Sequence, residues 1–347
     1  MSIFSGGHED FFGLDIGTTA IRAVQAKTTK DKKELAHYGQ LALAKVNELK
    51  TPEDQANLTQ AIVKLLKDSH ITSKSVAVNL PSSRVFTSVI DMDRLAPEEL
   101  AKTINYQAES YIPTPLAKSK IDWVVIGDSP KDAKKIEVLL SSVENSYTEN
   151  RLKAVEAAGL EVIALEPDSL ALTRSLLDNS VSGPQLVLDI GYLSTDLVIS
   201  YKGVPRLARA IQIGSETIVR AAIANMQLQP DQAHQYVYQY GLNKDNLNGK
   251  LYNAIIGTVD VLVSEIDKSI KFFTGRYSGA NLERVVLTGG ASSLPLFPLY
   301  VANKFNINVE IGNSWRNFAY PASMQNELLS VSNHFAVAAG LAEREAR

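Results

Sequence analysis

The chain has 347 residues, of which 45% are hydrophobic and 21% charged, with a formal net charge of -3 and no cysteine. This length and composition predict a folded protein of two or more domains. The small negative charge argues against nucleic-acid binding, and the lack of cysteine excludes disulfides and thiolate sites. No apolar run approaches the roughly 20 residues that span a bilayer, and the N-terminus does not resemble a signal peptide. We therefore expect a cytoplasmic protein that has no direct membrane insertion.

The sequence follows one plan twice, and each copy opens with an apolar strand that ends in Asp-Ile-Gly. In the first copy we predict these elements in order: strands Phe11 to Ile16, Ala20 to Ala26 and Leu35 to Leu43, a helix that Thr51 caps and Pro52 opens, and strand Val76 to Leu80. The helix prediction rests on apolar residues that recur with helical period at Ile62, Leu65 and Leu66.

The pattern of strand and helix candidates in residues 82–163 predicts a small α/β subdomain that is inserted into the first lobe. Its candidate elements are Val85 to Met92, Pro97 to Ser110, Ile121 to Ile126, Ile136 to Val143 and Thr148 to Ala158, with Gly159 as a helix cap. The second copy has strands Leu186 to Ile190, Leu197 to Tyr201, Pro205 to Ile213 and Val285 to Leu287, a helix from Ser215 and a helix Val259 to Phe273.

These patterns divide the chain into two lobes with two insertions. The predicted first lobe is 1–81 and 164–182, with the inserted subdomain at 82–163; the second lobe is 183–226 and 252–347, with a small insertion at 227–251. Because one motif recurs half a chain apart, we expect two related lobes that face each other.

The first Asp-Ile-Gly motif has the residue types of a phosphate-binding turn. Asp15 ends a strand, and Gly17 lets a phosphate approach the backbone. Thr18 and Thr19 add hydroxyl donors. The carboxylate of Asp15 suits a magnesium ion held through water, and Arg22 on the next strand adds positive charge. Taken alone, the motif also fits an ordinary hairpin.

The second motif repeats this arrangement with Asp189, Gly191 and Thr195. Two such turns predict a clamp that holds one polyphosphate from both sides, with Asp15 and Asp189 binding Mg²⁺ through water.

A third glycine-rich turn follows a predicted strand and precedes a helix. It consists of Gly289, Gly290, Ala291 and Ser292. Glycines here would let a nucleotide base and its α-phosphate lie against the backbone. The alternative is an ordinary strand-to-helix turn.

The three motifs resemble the two phosphate motifs and the adenosine motif of the actin, sugar-kinase and heat-shock chaperone superfamily. Within it, residues 108–116, 157–160 and 335–342 resemble signatures of the PilM proteins of type IV pilus assembly. The similarity runs from Phe11 to about Glu343. It implies an α/β fold of two actin-like (ribonuclease-H-like) lobes, with a small FtsA-type (SHS2) subdomain inserted in the first lobe.

The resemblance also implies ATP and Mg²⁺ between the lobes, and it assigns further roles. Gly214 and Ser215 are expected near the phosphates, and Glu265 and Lys268 at the ribose and base. The alternative for the latter two is a surface ion pair. Glu166 matches the glutamate that orients the attacking water in relatives, with a helix N-terminal acid as the alternative.

Two departures affect the expected catalysis more than the expected binding. Arg22 stands where relatives often carry lysine, and Tyr192 is bulky where they often carry a small residue. We therefore expect slow ATP hydrolysis or none.

The Tyr111-Ile112-Pro113 stretch is the candidate partner-binding segment. Its prolines exclude regular helix, and the alternative to a partner site is a rigid turn. The resemblance implies that the inserted subdomain and the first lobe form a groove for the N-terminal cytoplasmic peptide of a PilN-like inner-membrane protein, and that other pilus components bind elsewhere.

Two other functions share this fold. An FtsA-like filament protein would anchor through a C-terminal amphipathic helix, but residues 343–347 directly follow the last predicted core helix and offer no apolar face. A small-molecule kinase would need a catalytic aspartate beside a substrate cleft, and no separate motif for one is apparent.

Overall fold

The structure, a computed structural model, describes residues 10–29, 32–43, 49–178 and 180–345. Predictions made for residues 1–9 and 346–347 lie outside this range. Within the described residues, no helix has both the length and the apolarity that crossing a bilayer requires.

The first lobe is a mixed sheet with helices on its faces. In chain order it starts with β1 (Phe11–Ile16), β2 (Ala20–Thr29), β3 (Lys32–Ala42), α1 (Pro52–Asp68) and β4 (Ser75–Leu80). The predicted start of α1 is confirmed, because Thr51 and Asp54 form a capping box. Each side chain accepts a 3.1 Å hydrogen bond from the other residue's backbone N–H.

The inserted subdomain is a three-stranded antiparallel sheet covered by one helix. It consists of β5 (Val85–Asp93), α2 (Pro97–Ala108), β6 (Ser119–Asp128) and β7 (Lys135–Glu144). The central strand is β7, with β5 and β6 at its sides. Leu100 and Ile104 of α2 are buried against Val138 and Leu140 of β7, which gives the subdomain its own small core.

The chain returns to the first lobe earlier than predicted. It continues with α3 (Asn145–Ala157), β8 (Glu161–Pro167) and α4 (Asp168–Leu176). The α3 residues Ala154 and Val155 are buried together with Leu58 of α1. This helix was predicted to belong to the insertion, but it packs in the core of the first lobe. Gly159 follows α3 with φ +79°, as a helix-terminating glycine does.

The second lobe repeats the sheet of the first lobe. It contains β9 (Gln185–Ile190), β10 (Thr195–Tyr201), β11 (Val204–Ile211), α5 (Ser215–Met226), α6 (Pro230–Tyr240), α7 (Lys250–Arg276), β12 (Arg284–Thr288), α8 (Phe297–Phe305) and β13 (Asn308–Ile311). The strand order β11-β10-β9-β12-β13 matches β3-β2-β1-β4-β8 of the first lobe, and corresponding pairs run in the same relative directions. The repeated plan in the sequence is therefore a repeated fold.

The predicted insertion at 227–251 consists of α6 and the turn before α7. The helix α6 packs on the core of the second lobe through Ala233 and Val237. The helix predicted from Val259 begins earlier, at Lys250.

Two short helices hold the lobes together. The chain ends with β14 (Phe318–Ala319), α9 (Gln325–Val331) and α10 (Ala336–Ala342). The helix α4 lies against the sheet of the second lobe, and α10 lies against α4 and the sheet of the first lobe. A Cβ added to Gly340 of α10 would lie 2.0 Å from the carbonyl oxygen of Ala171 in α4. The absence of a side chain at Gly340 permits this close approach.

A buried ionic network joins the inserted subdomain to the second lobe. Glu137 of β7 accepts hydrogen bonds from Arg206 of β11 and, at 2.9 Å, from Arg276 Nε at the end of α7. The hydroxyl of Tyr277 donates to the same carboxylate at 2.7 Å. Arg276 also pairs with Asp91 of β5 at 2.7 Å. Because buried charges are costly unless paired, these bonds favour one orientation of the subdomain.

We expect Gly340→Ala to lower the free energy of unfolding by about 1–3 kcal/mol, because the new Cβ would meet backbone that moves only if the lobes separate. The control is Gly257→Ala in α7, where nothing lies within 4 Å of an added Cβ. That change should raise stability by up to about 1 kcal/mol, because alanine favours helix over glycine. Urea unfolding measures both, and equal stability of the two variants would contradict the close packing of α4 and α10.

Candidate functional site

A cleft of about 770 Å³ lies between the lobes, at the carboxyl ends of their parallel strands. Its walls include Asp15 of β1, Asn79 of β4, Asp189 of β9 and Gly289, which follows β12. Ligands of open α/β sheets bind at this edge, and the volume is that of a small-molecule site.

The turn from β1 to β2 forms the first-lobe wall of the cleft. Gly17 closes the turn with a 3.0 Å backbone hydrogen bond, and Thr18 and Thr19 lie on the cleft surface. Arg22 Nη1 lies 3.3 Å from Asp15 Oδ2. The residues predicted from the first motif therefore lie together on one wall.

The turn from β9 to β10 forms the facing wall. Gly191 N–H donates to Ser194 O at 3.0 Å, which closes the turn in the same way. Ser215 N–H, at the start of α5, donates to Gly191 O at 3.0 Å. A Cβ on Gly214 would lie 2.4 Å from Tyr192 O. Gly214 thus lets the turn pack on the helix without lining the cleft, whereas Ser215 does line it.

The third glycine-rich turn presses against the second. Gly289 has φ +83°, and a Cβ there would lie 2.3 Å from Asp189 Oδ1, so glycine suits the position on both counts. Gly290 lines the cleft. Ala291 and Ser292 are buried, and Ser292 Oγ donates to Gly289 O at 2.7 Å. The last two residues support the turn and do not line the cleft.

The two hairpins differ at one matching position. Arg22 stands opposite Asp15 in the β1–β2 ladder, whereas Asp196 stands opposite Asp189 in the β9–β10 ladder. Asp189 keeps some exposure to the cleft, yet desolvation, together with the charges of Asp196 and Asp15, raises its pKa to about 7. Burial raises the pKa of Asp196 to about 6. Like charges in register are unfavourable without a ligand cation between them.

A fourth carboxylate, Asp168, is the first residue of α4 and was not predicted. Asn79 Nδ2 donates to its Oδ1 at 3.0 Å. Burial, followed by the charges of Asp196 and Asp15, raises the pKa of Asp168 well above its usual range. Its position at the cleft depends on where α4 begins, which no local motif indicates.

Arg151 of α3 is a second residue that the sequence did not single out. It is 3% exposed and lines the cleft. Its Nη2 donates to Ile16 O at 2.9 Å and also contacts Asn79. Burial raises the pKa of Asp15, while the charges of Arg22 and Arg151 oppose that shift.

These carboxylates fit a cation that keeps its water shell. They are Asp15, Asp168, Asp189 and Asp196, all on the cleft. In the part of the chain that the structure describes, no three acidic or histidine side chains converge closely enough to ligate a metal directly. Mg²⁺ commonly retains waters and contacts carboxylates through them, and its charge would favour the ionised form of these carboxyls, whose pKa values are raised first by burial.

An aromatic wall lies on the second-lobe side. The rings of His234 and Tyr238 in α6 stack with centroids 4.5 Å apart, and both line the cleft. Tyr192 also lines it, and its hydroxyl donates to Glu216 Oε2 at 2.6 Å. Such a surface suits the stacking of a flat base.

Thr195, predicted as a phosphate donor, lies away from the cleft. It is fully buried, and its Oγ1 donates to Ile213 O at 2.7 Å. The hydroxyl that lines the cleft in this turn belongs to Ser194. The difference arises because Thr195 already begins β10 and points into the core.

Glu265 and Lys268 do not line the cleft either. They pair with each other at 2.6 Å, and Glu265 also pairs with Arg209 of β11 at 2.6 Å. Their side chains are partly or largely exposed. The geometry therefore favours the surface ion pair over contact with ribose and base.

Glu166 faces a second groove instead of the cleft. Its side chain is 0% exposed and pairs with Arg174 through two bonds, of 2.8 and 3.1 Å, and with Arg344. Both carboxylate oxygens are bound to arginines away from the cleft, and this geometry does not favour the expected role of orienting an attacking water. The alternative role for Glu166 was that of a helix N-terminal acid, but the acid in the first turn of α4 is Asp168.

The second groove has a volume of about 630 Å³ and is lined by all three parts of the molecule. The first lobe contributes Lys33, Glu166 and Arg174, the inserted subdomain contributes Val124, and the second lobe contributes Gly203, Val204 and Pro205. Glu343, which directly follows α10, also lines the groove. The predicted partner segment lies elsewhere. Tyr111 and Pro113 are exposed, and Ile112 is 6% exposed in the subdomain core.

The comparisons with known proteins agree on family and fold. Residues 13–346 match the family described as type IV pilus assembly protein PilM. Among solved structures, the chain is similar to the "PilM-PilN type IV pilus biogenesis complex", with TM-score 0.80 and 23% identity over 95% of this chain and 97% of that chain.

Two further structures extend the likeness. The ethanolamine utilization protein EutJ from Carboxydothermus hydrogenoformans has TM-score 0.58 and 13% identity over 95% of this chain and 88% of its own. MreB5 of Spiroplasma citri bound to AMPPNP has TM-score 0.54 and 13% identity, over 96% and 94%. The predicted two-lobed actin-like fold is thus confirmed.

We expect Asp189→Asn to stabilise the ligand-free protein by about 1–3 kcal/mol at pH 8 and by little at pH 5. Between about pH 4 and 7 the folded state holds a proton on Asp189 that the unfolded state has lost, so the wild type loses stability as pH rises. Asparagine has no charge to desolvate. Urea unfolding at both pH values measures the difference.

The control is Asp267→Asn, which removes a surface partner of Lys271. It should change stability by less than about 1 kcal/mol at either pH. A gain from Asp189→Asn that is the same at pH 5 and pH 8 would contradict the raised pKa.

Proposed function

The chain belongs to the PilM family of type IV pilus assembly proteins, and we propose that it is an ATP-binding scaffold of that machinery which binds the tail of a membrane partner. The nucleotide part rests on one observation: two matching Asp-Gly turns face each other across a cleft that holds four aspartates. The fold alone would not distinguish among actin-like functions.

The residues of the two turns would divide the work of binding a triphosphate. Thr18 and Thr19 on one wall and Ser194 on the other would donate hydroxyl hydrogen bonds to phosphate oxygens. Asp15 and Asp189 would orient the water shell of Mg²⁺. Bound Mg²⁺ would supply positive charge that offsets the negative charge of the phosphates and of these carboxylates.

The base would lie beyond the third turn. Gly289 and Gly290 leave room for the nucleoside against the backbone, and His234 and Tyr238 offer a stacking surface at the same side. These residues would then make the contacts with ribose and base that were first expected of Glu265 and Lys268.

We propose that hydrolysis is slow or absent. Phosphoryl transfer needs a group that positions the attacking water. Glu166 is bound to Arg174 and Arg344. The next carboxylate along the chain, Asp168, lies on the cleft, but burial raises its pKa well above the usual range, so its carboxyl tends to keep its proton. A site built this way favours retaining the nucleotide.

For the partner we propose the N-terminal cytoplasmic peptide of a PilN-like inner-membrane protein, with the second groove as its site. The groove lies where Val124 of the inserted subdomain meets first-lobe residues. The solved PilM-PilN complex of similar fold supports this choice of partner. The protein would then lie in the cytoplasm, at the inner face of the membrane, through that partner and any further pilus components.

Asp15→Ala and Asp189→Ala should each weaken Mg²⁺-dependent ATP binding by about 10-fold or more, because each removes a charged acceptor of the ion's water shell. Calorimetric titration with Mg²⁺ and with a chelator measures this. Asp267→Ala is the matched surface control. If both cleft variants bound Mg-ATP as tightly as the parent, the two-turn site would be wrong.

Titration with the N-terminal peptide of the PilN-like protein of the same organism should give saturable one-site binding. Val124→Asp should weaken it by about 10-fold or more, because it places a charge in the groove wall. Tyr111→Ala tests the segment first predicted and should leave affinity unchanged. Repeating the titration with Mg-ATP measures coupling between the sites. Absence of peptide binding while ATP still binds would favour the filament function.

A further inference from the structure

Most charges that line the second groove are already paired with one another. Glu166 binds both Arg174 and Arg344, and Arg316 lies 3.3 Å from Asp178. These groups are therefore occupied within the protein. A ligand that enters the groove gains little from charges that would first have to leave their partners.

Glu343 is different, because one of its carboxylate oxygens has no partner among the described residues. Asn317 Nδ2 donates to Oε2 at 2.9 Å, but Oε1 accepts no hydrogen bond. The residue is 6% exposed and lines the groove. A buried acceptor without a donor is unfavourable, and more so when it is charged, so this atom would gain from a donor that a ligand supplies.

The surroundings of Glu343 indicate which kind of donor would fit. Lys33 on β3 donates to the carbonyls of Ala342 and Arg344, at 3.4 and 3.0 Å, and Arg174 and Arg316 add positive charge nearby. A further cation would be repelled by these three. A neutral amide N–H would satisfy Oε1 without adding charge.

We propose that Glu343 is the polar anchor of the second groove and that its Oε1 accepts a hydrogen bond from an amide N–H of an extended peptide. The inference rests on the proposed binding of a partner peptide and adds the residue that orients it. An extended segment offers backbone and side-chain amides at a regular spacing. Apolar contact with Val124 and Val204 would lie beside this bond.

The test is calorimetric titration of the full chain with the PilN-like N-terminal peptide at pH 8. Glu343→Met keeps the length of the side chain but removes the acceptor, and we expect affinity to fall by about 10- to 100-fold. Glu343→Gln keeps a neutral acceptor, and we expect a loss of about 3- to 10-fold. The control Glu345→Gln removes a charge at the rim of the same groove and should change affinity by less than about 2-fold.

A second readout separates binding from mere structural support. Burial raises the pKa of Glu343 to about 7, against the opposing hydrogen bond from Asn317 and the charges of Arg174, Lys33 and Arg316. The charged groups that face it from the surrounding elements are Lys33 on β3, Glu166 on β8, Arg174 on α4, Arg316 before β14, and Arg344 and Glu345 after α10. The ratio of wild-type to Glu343→Gln affinity should therefore fall toward 1 at pH 6, where the carboxyl is protonated. Burial lowers the pKa of Lys33 to about 8 and the charge of Glu343 opposes that shift, so the comparison of Glu343→Gln with the wild type is repeated in a Lys33→Met background, where this group does not titrate.

The outcomes distinguish the two proposals. Wild-type binding that Glu343→Gln weakens at pH 8 but not at pH 6 supports the anchor. Wild-type binding that neither variant alters overturns the anchor and leaves the partner proposal standing. Absence of peptide binding by the wild type overturns both. Thermal unfolding and Mg-ATP titration of each variant show whether it is folded. If Glu343→Met is not folded, the comparison of wild type with Glu343→Gln is sufficient for the test.

Discussion

The packing of α4 against α10 is the contact on which both candidate sites depend. The first residue of α4, Asp168, lies on the cleft, and Arg174 near its end lies on the second groove. The helix α10 likewise begins with Ala336 at the cleft, and Glu343 follows its end at the groove. One pair of touching helices therefore connects the two sites over little more than two turns. Gly340 and the small residues around it allow this approach.

The cleft shows how function and stability oppose each other in this fold. Three of its aspartates are buried, and the pKa of each of the four is raised by desolvation first and by neighbouring charges in most cases. In the absence of a cation this arrangement costs stability, and a ligand that brings positive charge recovers it. By contrast, the Glu137 carboxylate between the subdomain and the second lobe accepts hydrogen bonds from Arg206, Arg276 and Tyr277, and these bonds favour one orientation of the subdomain. Like charges therefore lie close together at the candidate cleft, whereas opposite charges are paired where the subdomain contacts the second lobe.

Much of the fold was predictable, because its signals are local. The apolar strand ending in Asp-Ile-Gly predicted both hairpins, and the Thr51 cap predicted the start of α1. Boundaries that depend on packing were less accessible. The helix α3 looks like part of the insertion along the chain, but Ala154 and Val155 bury against α1. Asp196 could have been found by aligning the two hairpins, since it occupies the place that Arg22 occupies in the first.

The sequence by itself determined the two-copy plan, the family, and the turns that carry Asp15, Gly17, Asp189 and Gly289, because glycine turns and strand patterns act within a few residues. Only the tertiary structure decided which carboxylates share the cleft. Glu166 and Asp168 are two residues apart, yet one is bound by arginines at the second groove and the other faces the cleft. That outcome depends on where β8 ends and how α4 meets the second lobe. These are contacts between residues distant in the chain, and no local pattern contains them.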